Sequence, residues 1–473
     1  MIPTGNNYIN GSWCSDLGKT VPIHNPADPQ QIVGSFHPGS SAIANSAMDS
    51  AISTATSWPQ YPVKNRKQLL QSLLKGLADN RVHFAKTITL ENGKTLAESY
   101  TEVDGAIAEG QYQLEFVTAG LVENVGKHSV RHEPLGAVLL ITPWNFPLAT
   151  IIRKMIPALA AGNIVVVKPS EHTPLTAAAL FSIIHTLEFP PGAANLVLGD
   201  GPLVVPPMLA HVGLRAVSFT GSSETGSILA EQIGSRDIRL QMEMGGSNAV
   251  VVLADADLDL AAQGIISNGF ACAGQWCTGT SRAIIEASVY ELMLEKLQTL
   301  TANIQMGDGM DSNTTMGPVI SSKRLAAQEN IVATAINSGA RTICGGKADS
   351  KLPGHFFPPT ILADVTRSMS VSSEEMFGPV IMAMKARNVD EALDIASDTP
   401  YGLAFSIYTN DISLAEQAVE NVSTGICHIN LPTAYRDPAL PLSGWNASGR
   451  GIAESGRQAR DFYTKPKAIY KAS

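Results

Sequence analysis

A cysteine and a glutamate within one stretch of the chain have the residue types that covalent chemistry on a carbonyl requires. Cys277 lies in Gly274-Gln-Trp-Cys-Thr-Gly279, where small neighbours leave a sulfur approachable. Glu243 lies 34 residues earlier, in front of Gly245-Gly246. A thiolate can attack a carbonyl carbon, and a carboxylate can activate the water that later releases the acyl group. A lone cysteine is more often a small buried hydrophobe, the reading kept for Cys272, Cys344 and Cys427. A lone glutamate is more often a cap or an ion-pair partner. The pair therefore needs company.

Three further motifs offer it. Thr142-Pro-Trp-Asn-Phe-Pro147 puts Asn145, an amide donor able to steady an oxyanion, in a loop held by two prolines. A rigid turn is the plainer alternative. Lys168-Pro-Ser-Glu171 follows the β-rich run 164–167, where Lys168 and Glu171 could hydrogen-bond ribose hydroxyls or simply be solvated. Phe219-Thr-Gly-Ser-Ser-Glu-Thr-Gly226 lies between a strand and a helix. Its Gly221 and Gly226 would let backbone amides approach a diphosphate. It lacks the full Gly-x-Gly-x-x-Gly pattern, so an ordinary β–α turn stays open.

These motifs need elements to position them. The pattern places short strands at 137–141, 164–168, 195–198 and 216–219, alternating with helices at 150–161, 174–187, 203–210 and 225–233. Such alternation predicts a parallel sheet with helical crossovers, binding its ligand beyond the strand ends. A second α/β series runs from Val250 to about Ala404. Upstream, 5–40 reads as hairpin strands, and helices are expected at 41–57, around Leu69–Leu77 and at 96–117. This first quarter reads as scaffold without chemistry.

The chain of 473 residues can bury a large core in two or three domains. Its net charge of −9 and scattered Lys and Arg argue against nucleic acid. Apolar runs are too short to span a bilayer, and Met1–Trp13 does not read as a secretion signal. Five dispersed cysteines suit a reducing cytoplasm rather than a disulfide framework, and no Cys and His group has metal-ligand spacing, so no metal is expected.

Taken in order, the motifs resemble those of the aldehyde dehydrogenase superfamily nearly end to end. The matching segments are Asn7-Tyr-Ile-Asn-Gly-Ser-Trp13, Thr142–Pro147, Lys168–Glu171, Phe219–Ser222, Met242-Glu-Met-Gly-Gly246, Gly274–Cys277 and Glu374-Glu-Met-Phe-Gly-Pro379. The resemblance implies an α/β fold in three parts: a Rossmann-like NAD(P)-binding domain from 1–115 and 135–245, a catalytic domain from 246–445, and a β oligomerisation arm from 116–134 and 459–473. It further implies a homodimer or homotetramer, because the arm presents a strand edge.

The resemblance also implies roles. Cys277 would be the nucleophile, Asn145 with the Cys277 N–H the oxyanion hole, and Glu243 the base that activates water. Lys168 and Glu171 would hold the adenosine ribose, with Gly201 beside them. Trp144, Gly221, Ser222 and Gly245 would line the path of the cofactor, Glu375 would hold the nicotinamide ribose and Phe377 would pack by the ring. NAD is favoured over NADP, since Glu171 would repel a 2′-phosphate. Relatives that acylate coenzyme A usually lack the carboxylate at Glu243, so a free acid is the expected product.

Arg153, eight residues beyond Asn145, resembles an arginine of semialdehyde and hydroxyaldehyde dehydrogenases and could pair with a distal carboxylate. A surface helix charge is its plain alternative. Ala271 stands where succinate semialdehyde enzymes often place a second arginine, and Arg436 could substitute. Phe146 and Trp276 would equally suit an aromatic or apolar aldehyde. Ser247-Asn248, Pro441-Leu-Ser-Gly444 and Trp445-Asn446 depart from the family pattern around the site.

Overall fold

The structure is a computed structural model describing residues 4–14, 18, 20–348 and 351–472. The ends of the expected first and last segments, 1–3 and 473, lie outside the described residues, as do 15–17 and 19 within the predicted hairpin region.

Two large sheets dominate. The first has eight strands, in spatial order Gly449–Gly451, Arg239–Glu243, Leu214–Thr220, Ala137–Ile141, Ile164–Lys168, Ala194–Leu196, Asn7–Ile9 and Ser12–Cys14. Its five central strands run parallel, and antiparallel partners close both edges. Ala-Val-Leu-Leu-Ile and Ile-Val-Val-Val-Lys are buried at every position, as strands covered by helices on both faces must be. The second sheet has seven strands, Arg341–Cys344, Thr360–Ala363, Val380–Ala386, Thr280–Glu286, Asn248–Val252, Ala404–Tyr408 and Ile426–Ile429, parallel except for the first pair. One core surrounds the first sheet, and two pack on opposite faces of the second.

A three-stranded sheet of Thr464–Ile469, His128–Pro134 and Val122–Val125 forms separately. The helix Leu96–Ala119 runs into it, so the expected boundary at 116 falls inside that helix. Thr95 and Glu98 start the helix with a reciprocal capping box. A smaller sheet joins Thr4–Gly5, Asp28–Phe36 and Val21–Asn25.

The strands Ala137–Ile141 and Ile164–Lys168 have the expected bounds; other elements shift by a few residues. The helix expected from Leu203 begins at Gly201, because Pro202 fits a first helical turn, where no N–H is required. The helix expected to reach Ser57 ends at Thr54, and a short 3-10 turn over Trp58–Gln60 follows. The second α/β series extends past Ala404 to Ile429. Among the described residues no helix is long and apolar enough to cross a membrane.

Candidate active site

Both sheets direct their strand ends at one cavity of about 250 Å³. Its lining includes Trp144, Gly221, Ser222, Gly245, Glu375 and Phe377, and also Phe146, Arg153, Trp276 and Arg436. Asn145, Glu243 and Cys277 share the same space. Lys168, Glu171 and Gly201 are not among its lining residues. They cluster at the end of strand Ile164–Lys168, where Lys168 Nζ meets Glu171 Oε2 at 3.1 Å. A Cβ on Gly201 would lie 3.7 Å from that ammonium.

Cys277 follows a 3-10 turn, Ala271–Gly274, in which Cys272 and Ala273 have φ near +52° and +53°. Left-handed backbone at non-glycine residues is strained and persists only where surroundings impose it. The Cys272 N–H donates to Glu98 Oε1 at 2.7 Å, and Asn248 Nδ2 donates to the Cys277 carbonyl at 2.7 Å. Burial pushes the Cys277 thiol up to about 11, while Arg153 and Arg436 pull it down.

Glu243 ends the strand Arg239–Glu243 and is buried. Its Oε2 accepts the Gly444 N–H at 2.9 Å, which places the Pro441–Gly444 departure against the carboxylate. Gly444 cannot carry a side chain, because a Cβ would lie 2.1 Å from the Ser448 carbonyl oxygen. Burial first, then the charge of Glu454, raises Glu243 well above the usual carboxylate range. A raised carboxylate is a better proton acceptor near neutral pH.

Asn145 is buried, and its Nδ2 donates to the Gln275 carbonyl at 3.0 Å. Its backbone carbonyl accepts from Lys94 Nζ at 2.5 Å. Lys94, Glu98, Glu102 and Glu109 all belong to the first quarter, read from sequence as scaffold without chemistry, and the structure shows that this scaffold holds the site loops directly. The signal was absent locally, since these partners lie tens to hundreds of residues from what they hold.

Arg153 is not the surface helix charge of its plain reading. It is turned inward, donating through Nε to Glu109 at 3.0 Å, with Glu454 at 3.8 Å. Arg436 reaches the same Glu109 at 3.6 Å. Lys154 forms a buried ion pair with Glu454 and donates to Ser218 Oγ. Three cations therefore meet Glu109 and Glu454, and the Glu243 carboxyl lies close enough to feel Lys154 and Arg436. Phe146 and Trp276 pack with ring centroids 4.9 Å apart.

The residues expected to face a dinucleotide offer backbone and carboxylate groups of a suitable kind. Ser222 caps the helix Ser223–Ile233, its hydroxyl accepting the Thr225 N–H at 3.2 Å, and a helix N-terminus suits phosphate. The Gly226 N–H bonds to the Ser222 carbonyl, and a Cβ there would lie 2.3 Å from Met244 Sδ. The Gly221 N–H is also engaged, by the Glu243 carbonyl at 3.1 Å.

Glu375 accepts the Gly246 N–H at 3.3 Å, and burial lifts its carboxyl to about 7. A Cβ on Gly245 would lie 2.2 Å from its Oε2, so the carboxylate packs directly on bare backbone. Phe377 has φ +43° and meets Trp144 edge-on at 5.4 Å. Arg324, not foreseen from sequence, donates to the Met376 and Phe377 carbonyls at 2.9 and 2.6 Å and holds that conformation. Among the described residues no cluster could hold a metal ion.

With thiol, amide, carboxylate and dinucleotide wall in one cavity, comparison with known proteins becomes specific. The aldehyde dehydrogenase family pattern matches residues 13–469. The alpha-ketoglutaric semialdehyde dehydrogenase of Bacillus subtilis is 35% identical over 98% of this chain and 97% of its own. An NADP(+) succinate-semialdehyde dehydrogenase of Escherichia coli is 35% identical over 96% and 95%. The crystal structure of betaine aldehyde dehydrogenase from Staphylococcus aureus with NAD+ superposes with TM-score 0.95 at 31% identity, covering 98% of this chain and 94% of that one.

Proposed function

The chain belongs to the aldehyde dehydrogenase family and is an NAD(P)-dependent oxidoreductase, and on that premise we propose that it converts a small semialdehyde or hydroxyaldehyde to its acid through a cysteine thioester. The observation that carries the substrate is the convergence of Arg153 and Arg436 on the cavity that holds Cys277. Their guanidinium groups line that cavity while pairing with Glu109, and a guanidinium suits a substrate whose far end is a carboxylate or a polar hydroxyl.

In this reading Cys277 attacks the aldehyde carbon, and Asn145 donates its free amide hydrogen to the developing oxyanion. The nicotinamide, when bound, supplies the acceptor for the hydride that leaves the adduct. Glu243 then takes a proton from water, which attacks the thioester and releases the acid. Its presence favours water over coenzyme A as the acyl acceptor. Lys168 and Glu171 hold the adenosine ribose, with Gly201 beside them. Trp144, Gly221, Ser222, Gly245, Glu375 and Phe377 hold the diphosphate and nicotinamide half. Lys168 draws Glu171 toward ionisation against its burial, and an ionised carboxylate repels a 2′-phosphate, so NAD is preferred to NADP.

Residues 1–115 and 135–245 serve the cofactor, 246–445 the catalysis, and 116–134 with 459–473 oligomerisation. The outer strand Val122–Val125 exposes Val122 and Val125 on a sheet edge, which a homodimer or homotetramer would cover. The cytoplasm is the compartment that fits reduced cysteines. Contact between Phe146 and Trp276 supports a second reading, an aromatic or apolar aldehyde. Measuring kcat/KM with succinate semialdehyde, 2-oxoglutarate semialdehyde, glycolaldehyde and benzaldehyde, with NAD and NADP, separates the two. A preference for benzaldehyde would replace the first reading with the second.

A further inference from the structure

The end of the helix Arg81–Asn92, the turn after it and the helix Leu96–Ala119 touch the loop around Asn145 at four backbone points. Asn92 Nδ2 donates to the Trp144 carbonyl at 2.9 Å, and Lys94 Nζ to the Asn145 carbonyl at 2.5 Å. Glu102 Oε1 accepts the Leu148 and Ala149 N–H groups at 2.9 and 3.1 Å. The helix Ala149–Ala161 needs that help, because its own N-cap, Leu148, has no side-chain acceptor. Lys94 and Glu102 pair at 2.8 Å with side chains 1% and 0% exposed, and the ammonium lies 3.9 Å from the Phe146 ring centroid.

A buried ion pair is weak as a source of stability, since desolvating each charge costs several kcal/mol, and packed apolar residues often serve as well. What this pair adds is direction. Its cation grips the carbonyl of Asn145 and its anion grips the amides three and four residues on, so the loop is held from both ends. With its backbone fixed and one amide hydrogen on the Gln275 carbonyl, Asn145 keeps a single hydrogen for a ligand in the cavity.

We propose that the buried Lys94–Glu102 pair is the positioning device of the oxyanion site, setting where Asn145 points without touching the substrate. This rests on Asn145 being the oxyanion donor. A misplacement of about 1 Å at such a donor costs about 100-fold in rate.

The test compares Asn145→Ala, Lys94→Met and Lys94→Met/Glu102→Leu. The double variant removes both charges, so neither is left buried alone should the single variant fail to fold. Three quantities are read: the rate of the first-turnover NADH burst with the best aldehyde of the panel, the Kd for NAD+ by fluorescence, and the rate of Cys277 alkylation by iodoacetamide. Alkylation displaces iodide at a methylene and develops no charge on a carbonyl oxygen, so it reports the thiol without the oxyanion site.

All three variants are expected to slow the burst about 10–100-fold, with NAD+ affinity and alkylation within about twofold of the parent. A double variant with the parent burst rate, beside a slow Asn145→Ala, would overturn the positioning role alone. A fast Asn145→Ala would remove Asn145 as the donor, and the proposal with it. Alkylation slowed in step with the burst would show a displaced nucleophile and overturn it as well.

Discussion

Lys154 and Glu454, 300 residues apart, form an ion pair buried beneath Glu243, and Glu454 places a negative charge close enough to oppose ionisation of Glu243. Lys154 acts in the opposite sense, holding Glu243 toward its charged form. The ionisation of Glu243 is therefore tuned from the helix Ala149–Ala161 and from a bridge residue 300 positions later.

Glu454→Gln removes the repulsion and keeps the shape. The Glu243 carboxyl should fall toward its ordinary value. Because only the deprotonated carboxylate takes a proton from water, activity is present above its pKa and lost as pH falls through it. The acid limb of steady-state kcat should consequently move to lower pH in the variant. A pH–kcat profile checks this, and a limb that stays or moves up would separate Glu454 from Glu243.

Cys277→Ala should lower aldehyde oxidation by about a thousandfold or more, since Cys277 is the one thiol among the cavity's lining residues. Binding of NAD+ should persist, because Trp144, Glu375 and Phe377 do not depend on the sulfur. Fluorescence titration and NADH production are the paired measurements. The thiol of the parent is held up to about 11 by burial, so its alkylation should accelerate as pH rises through the alkaline range.

Which of these features are legible in the sequence follows from how locally each is encoded. Val-rich runs such as Ile164–Lys168 declare themselves because burial on both faces leaves no polar position to blur the pattern. Asn145 and Cys277 stand in compact loops of proline, glycine and small residues, so their motifs are visible as units. Lys94, Lys154, Glu102, Glu109 and Glu454 are not visible in that way. Each is an ordinary charge in an ordinary helix or turn until folding brings in a partner, 51 residues away for Lys94 and Asn145 and 300 for Lys154 and Glu454. Arg153 is an intermediate case: its type suggested anion recognition, but helical spacing alone could not tell an inward guanidinium from a solvated one.

Glu243→Gln should leave the first-turnover NADH burst close to the parent rate while slowing steady-state turnover about 100-fold or more. The amide retains an acceptor for the Gly444 N–H, so the loop 441–444 should stay in place. In the parent, steady-state kcat should rise with pH as the raised carboxyl ionises, and the variant should lose that limb. Rapid-mixing kinetics across pH measure both. An absent burst would assign Glu243 to the acylation half instead.

Arg153→Leu separates substrate recognition from folding. A charge-assisted hydrogen bond is worth about 1.5–3 kcal/mol, so KM for acidic aldehydes should rise about 10–100-fold. Neutral aldehydes should change by about twofold or less. The variant also leaves Glu109 with Arg436 at 3.6 Å and the Ser455 hydroxyl as its remaining partners. An uncompensated buried carboxylate costs about 3–5 kcal/mol, and Arg436 can offset only part of that. Arg153→Leu/Glu109→Leu should therefore recover much of the lost thermal stability without recovering KM for the acidic substrate. Thermal denaturation beside kinetics on acidic and neutral aldehydes distinguishes the two contributions. Equal rises in KM for both classes would mean that Arg153 serves the buried Glu109 cluster and not the substrate.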